Sequence, residues 1–119
     1  MKKTIIILFF IYSNLSFSQE ISSIKIGNQF WTQKNFDKAT FRSGEIIKEI
    51  RSKEDWLKVG YREEPAWCYF KNNPQNGAIY GKLYNWYAIT DSRGLVPEGW
   101  HIPSMGEWNG LINFLKYPL

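Results

Sequence analysis

The spacing of apolar and polar positions changes period several times along the chain. Ile24-Lys25-Ile26 and Gln29-Phe30-Trp31 flank Gly27-Asn28. This predicts two short strands joined by a two-residue turn, with glycine at the first turn position accepting the positive φ of a type II′ hairpin. Residues 41–47 predict a second hairpin, with Ser43-Gly44 at its bend. Ser52 is placed to cap a short helix through Leu57, with Glu54 and Asp55 at its positive dipole end and Gly60 as its stop. Residues 65–70 are aromatic and strand-like, and residues 72–77 are dense in turn formers. Residues 78–90 (AIYGKLYNWYAIT) have high strand propensity, yet Leu83, Trp86, Tyr87 and Thr90 recur at helical spacing, which predicts a helix over about 83–89. Residues 91–99 form a connector. Trp100-His101-Ile102 then reads as a short extended element, held out of the helical region by Pro103. Ser104 and Glu107 match a capping box. Trp108, Leu111, Ile112 and Leu115 follow at i, i+3, i+4 and i+7, an apolar stripe expected to face a core in a helix that Pro118 ends.

The N-terminus follows a different logic. Met1-Lys2-Lys3 is a basic start, residues 5–12 (IIILFFIY) are an uncharged apolar run, and residues 13–18 are a polar segment. Ser16 and Ser18 suit signal-peptidase cleavage between Ser18 and Gln19. The apolar run is well short of the roughly 20 residues a membrane span needs. A signal peptide over 1–18, a short linker over 19–23 and a domain from 24 onward are therefore expected, with export and no membrane span after cleavage. The whole chain has 15 Lys and Arg against 11 Asp and Glu, a formal charge of +4. Removing Lys2 and Lys3 leaves +2, with the remaining cations scattered singly, which argues against a nucleic-acid partner. At 119 residues, 44% apolar and 18% aromatic, the chain fits one small domain with a packed core. It contains no internal repeat and no low-complexity tract.

Candidate chemistry is sparse. One cysteine, Cys68, excludes a disulfide scaffold within the chain, and its neighbours Trp67 and Tyr69 suggest a small buried group. One histidine, His101, has no partner of metal-ligand spacing, so no metal and no cofactor is expected. No glycine-rich phosphate loop, serine elbow or paired-carboxylate pattern is present, so no catalytic residue is assigned. The aromatic residues carry the strongest signal. They either enlarge a small core or build a platform for sugar rings. Leu83, Trp86, Trp108 and Leu111 are expected in the core, with Tyr84, Trp100 and His101 as the candidate ligand-binding residues.

Three segments carry a family likeness: IGNQFW (26–31), YGKLYNWYAI (80–89) and RGLVPEGWHIPSMGEW (93–108). In that order they resemble the Fibrobacter succinogenes major paralogous domain, whose members are exported or surface proteins of Fibrobacter and Bacteroidota. Residues 100–108 also resemble a segment of the formylglycine-generating sulfatase modifiers, within the wider C-type lectin-like fold. The resemblance implies an α+β domain with two helices, over 83–89 and 107–116, packed on an irregular antiparallel sheet. It also implies a fold that continues past the second helix, so the chain is expected to be the N-terminal part of such a domain, incomplete at its C-terminus. The function expected is a non-enzymatic interaction module, secreted, periplasmic or at the cell surface, for carbohydrate binding or adhesion, with a glycan or another surface protein as partner. An enzyme related to the sulfatase modifiers and a purely structural envelope protein are the alternatives.

Overall fold

A computed structural model describes residues 21–116 of the protein. The expected leader, its Ser18–Gln19 cleavage site and Pro118 lie outside these residues. Strands β1 (Ser23–Ile26) and β2 (Gln29–Thr32) pair antiparallel, with Ile24 opposite Trp31 and Ile26 opposite Gln29. β1 starts on the last residue of the expected linker. Gly27 turns the chain at φ 60° while Asn28 stays out of the left-handed region, as the type II′ expectation requires. The second expected hairpin is reduced to one antiparallel bridge, Thr40 to Ile46, closed by the Phe41 N–H donating to the Glu45 carbonyl.

A three-stranded sheet has the order β3 (Lys48–Glu49), β4 (Ala66–Cys68), β5 (Leu83–Tyr84). β3 and β4 run parallel, whereas β4 and β5 run antiparallel with Trp67 opposite Tyr84. The sheet is therefore mixed, not the antiparallel one expected. A parallel pair needs a crossover, and helix α1 (Lys53–Tyr61) supplies it. Ser52 caps α1 by accepting the Asp55 N–H at 3.1 Å, as the sequence indicates. Gly60 does not stop it. The helix runs on to Tyr61, and Glu63 takes the left-handed conformation (φ 57°) while Glu64 N–H bonds Val59 O and Glu63 N–H bonds Gly60 O. That is a Schellman ending with glutamate where glycine is usual.

β4 is covered on both faces, because successive strand residues point to opposite sides. Ala66 packs with Ile50, Val59 and Trp56 under α1. Trp67 packs with Phe41, Ile47, Ala88 and Leu95, the larger cluster. Cys68 is half-buried, and burial pushes its thiol pKa up.

The helix expected over 83–89 is divided. Leu83 and Tyr84 are drawn into β5, and only a single turn, α3 (Trp86–Ile89), is helical. Asn85 divides the segment: its extended backbone ends the strand, and its side chain caps α3 by accepting the Ala88 N–H at 3.0 Å. Another single turn, α2 (Gly77–Tyr80), precedes β5. Between them Gly81 sits at φ 65°, where a Cβ would lie 2.5 Å from the Phe36 carbonyl oxygen, so only glycine fits. The side chains assigned to the core from helical spacing mostly face outward: Trp86 is 69% exposed and Leu83 42%, and Ala88 is the buried residue of α3.

Helix α4 (Met105–Lys116) begins at the expected capping box, with Glu107 accepting the Ser104 N–H at 2.8 Å and the Ser104 hydroxyl accepting the Glu107 N–H at 3.3 Å. The residues before it, 101–104, are irregular rather than an extended ladder. Its apolar stripe does not reach a core. No residue of α4 is buried, and Trp108 is 46% exposed. The stripe meets the β1–β2 hairpin instead: Trp108 packs on Trp31, and the Phe114 ring lies against Gly27. Among the described residues, no helix is long and apolar enough to cross a membrane.

Candidate functional site

An open groove of about 980 Å³ lies between the hairpin, the loop around Trp100 and α4. Period two along β2 puts Gln29 and Trp31 on one side, and both meet α4. The Trp31 and Trp108 rings are 5.1 Å apart and tilted by 48°. Gln29 joins the two walls: its amide nitrogen donates to the Glu107 carbonyl at 3.3 Å, and its amide oxygen accepts the Trp31 indole N–H at 3.1 Å. Trp100 and His101 complete the rim.

The third candidate, Tyr84, is not in this groove. It lines a smaller one of about 390 Å³ with Phe70, Tyr80, Lys82 and Leu83. The Tyr84 hydroxyl donates to the Lys38 carbonyl at 2.6 Å, and burial holds its phenol pKa well above the usual value. Its ring packs on Phe36 at 5.6 Å. Sequence reasoning thus placed Trp100 and His101 together, assigned Trp108 to the core and gave Trp31 no part in the site. The one signal available was IGNQFW, whose Gln29 and Trp31 share a strand face.

Glu107 does two things. It caps α4, and its other oxygen lies 2.7 Å from His101 Nε2. The Ser104 N–H chiefly, then the His101 ring and the Ser104 hydroxyl, hold its carboxyl below the usual value of 4.5. A depressed folded-state value gives a stabilisation that is complete above the unfolded value and lost as pH falls through the folded one. Acidification to below the ordinary glutamate range is therefore expected to release the Ser104 amide and fray the first turn of α4. In Glu107→Gln the Ser104 amide NMR shift should lose that acid transition; an unchanged transition would rule Glu107 out as its source.

Ser104, Glu107 and His101 do not form a nucleophile relay. The Ser104 hydroxyl donates to Glu107 at 3.0 Å, so the carboxylate stands between hydroxyl and imidazole. Hydroxyl activation requires the imidazole in the middle. Among the described residues, no three His, Cys, Asp or Glu side chains gather as a metal-ligand set. The groove instead presents aromatic rings together with amide, hydroxyl and carboxylate groups.

The family model of the Fibrobacter succinogenes major domain matches residues 24–118. The chain belongs to this family. Apart from Ser23, the match takes in the lining residues of both grooves, from Ile24 of the hairpin to Leu115 of α4. Neither a curated protein nor a solved structure matches the chain. The described residues of this Fibrobacter succinogenes major domain form a mixed α+β structure with two small sheets.

Proposed function

We propose that this domain is an exported, non-enzymatic glycan-binding module whose binding face is the larger groove. One observation carries the reading: Trp31, Trp100 and Trp108 line an open groove whose polar side chains include Gln29, Asn28, Asn35 and Glu107. A pyranose has an apolar C–H face and a rim of hydroxyls. Indole rings bury the first, while amides and carboxylates hydrogen-bond the second. The raised thiol pKa of Cys68 and the order of Ser104, Glu107 and His101 support a non-catalytic role. Export rests on the basic, apolar and polar order of residues 1–18. A C-type lectin-like fold rests on the resemblance of residues 100–108, which form the groove rim and the capped start of α4.

Trp108→Ala and Trp100→Ala are each expected to weaken glycan binding by tenfold or more, about 1.4 kcal/mol, on a glycan array and by titration calorimetry. Circular dichroism should report an intact fold in both. Full affinity in both variants would remove the groove from the reading.

A further inference from the structure

The two grooves share Asn35 and Phe36 as lining residues, so they adjoin. Three ring pairs run along the combined surface: Trp31–Trp108, Phe36–Tyr84 and Phe70–Tyr80. All six rings line one groove or the other, and Phe36 lines both. A site for a single sugar unit needs one such pair, and the larger groove alone lies near the top of the usual range, roughly 300–1,000 Å³, for a ligand pocket.

The charge along this surface is distinctive. The chain carries 15 Lys and Arg, yet none is among the described residues lining the larger groove, where His101 and Glu107 are the titratable groups. The smaller groove has one lining cation, Lys82, whose ammonium donates to the Asp37 carbonyl and lies 4.7 Å from the Trp67 ring centre and 5.6 Å from that of Tyr69. A uronate or sulfated chain would find no Lys or Arg among the described lining residues of the larger groove, the Lys25 ammonium lying over the outer Phe30 ring, and would meet the Glu107 carboxylate there.

Ring orientation narrows the ligand further. The pairs are tilted by 48°, 45° and 62°. Rings at such angles cannot all lie on one flat crystal face, but they can follow the turns of a single flexible chain.

We propose that the two grooves are subsites of one track for a single soluble chain of a neutral linear glycan, running from Trp31–Trp108 across Asn35–Phe36 to Phe70–Tyr80. The proposal rests on the glycan reading above and adds length, charge and solubility of the ligand. Ligands occupying both subsites gain from effective concentration, so affinity rises with chain length.

Titration calorimetry with disaccharides and hexasaccharides of β-1,4-glucan, β-1,4-xylan, β-1,4-mannan and α-1,4-glucan tests it, together with hexagalacturonate and microcrystalline cellulose. At least one neutral hexasaccharide is expected to bind tenfold or more tighter than its disaccharide. Tyr80→Ala and Phe70→Ala should each remove that gain and leave the disaccharide affinity unchanged, with hexagalacturonate and the crystalline polymer bound less well. Equal affinity for both lengths, a gain that survives both variants, or tighter binding to the charged or crystalline probe would overturn the track while leaving the larger groove as a glycan site. No binding to any probe would overturn the glycan reading and the track together.

Discussion

Trp67→Ala is expected to lower the stability of the domain by at least about 3–5 kcal/mol. Trp67 is 5% exposed and packs with Phe41, Ile47, Ala88 and Leu95. Its indole N–H donates to the Ile47 carbonyl at 3.0 Å, the Tyr69 ring meets it edge-on at 5.0 Å, and the Lys82 ammonium lies over it. Truncating a buried tryptophan costs about 3–5 kcal/mol, and the Ile47 carbonyl loses its partner besides. A domain of this size has a total stability of roughly 5–14 kcal/mol, so the loss takes most of the margin at the lower end. Trp67→Phe keeps much of the ring and forfeits the hydrogen bond and some volume, about 1–3 kcal/mol. Urea denaturation followed by far-UV circular dichroism should therefore order the proteins wild type, Phe, Ala. An alanine variant with the wild-type midpoint would mean that Trp67 is not the centre of this core.

The sequence was most legible where a few neighbouring residues decide the structure. Gly27-Asn28 between alternating strands, Ser52 before two acids, and Ser104 with Glu107 each satisfy local backbone donors or a local φ, and each element starts where those residues indicate. It was least legible where a distant partner decides. Leu83 and Tyr84 have helical spacing with Trp86 and Tyr87, but pairing with β4 takes the first two into a strand. The α4 stripe revealed an apolar face without revealing what would cover it. Gln29 and Glu107 meet across 78 positions, and no local pattern encodes that approach. The site divides in the same way. Trp100 and His101 stood out as neighbours in a short segment, whereas Trp31 and Trp108 became a ring pair only when the hairpin was laid against the helix.

The second large effect belongs to Asn85. Its side-chain oxygen accepts the Ala66 and Ala88 N–H groups, both at 3.0 Å, and its amide nitrogen donates to the Glu64 carbonyl at 2.7 Å. Its own N–H returns a bond to the Ala66 carbonyl, also at 3.0 Å. One amide thus ends β5, starts α3 and ties both to the entry of β4. Ala66 and Ala88 are fully buried, so in Asn85→Ala their N–H groups lose a partner that water replaces poorly. At roughly 1–3 kcal/mol for each buried group left unpaired, and allowing for relaxation, a loss of about 3 kcal/mol is expected. Asn85→Asp keeps both acceptor bonds but turns a carboxylate oxygen toward the Glu64 carbonyl, and should fall between the two. Amide hydrogen exchange separates this local mechanism from a general loosening. Ala66 and Ala88 should lose protection first in Asn85→Ala, before Ile47 and Val59. Uniform loss across all four amides would refute the local account. Because β5 carries Leu83 and Tyr84, which line the smaller groove, the same variant should also diminish the gain in affinity with glycan length while the larger groove still binds the disaccharide.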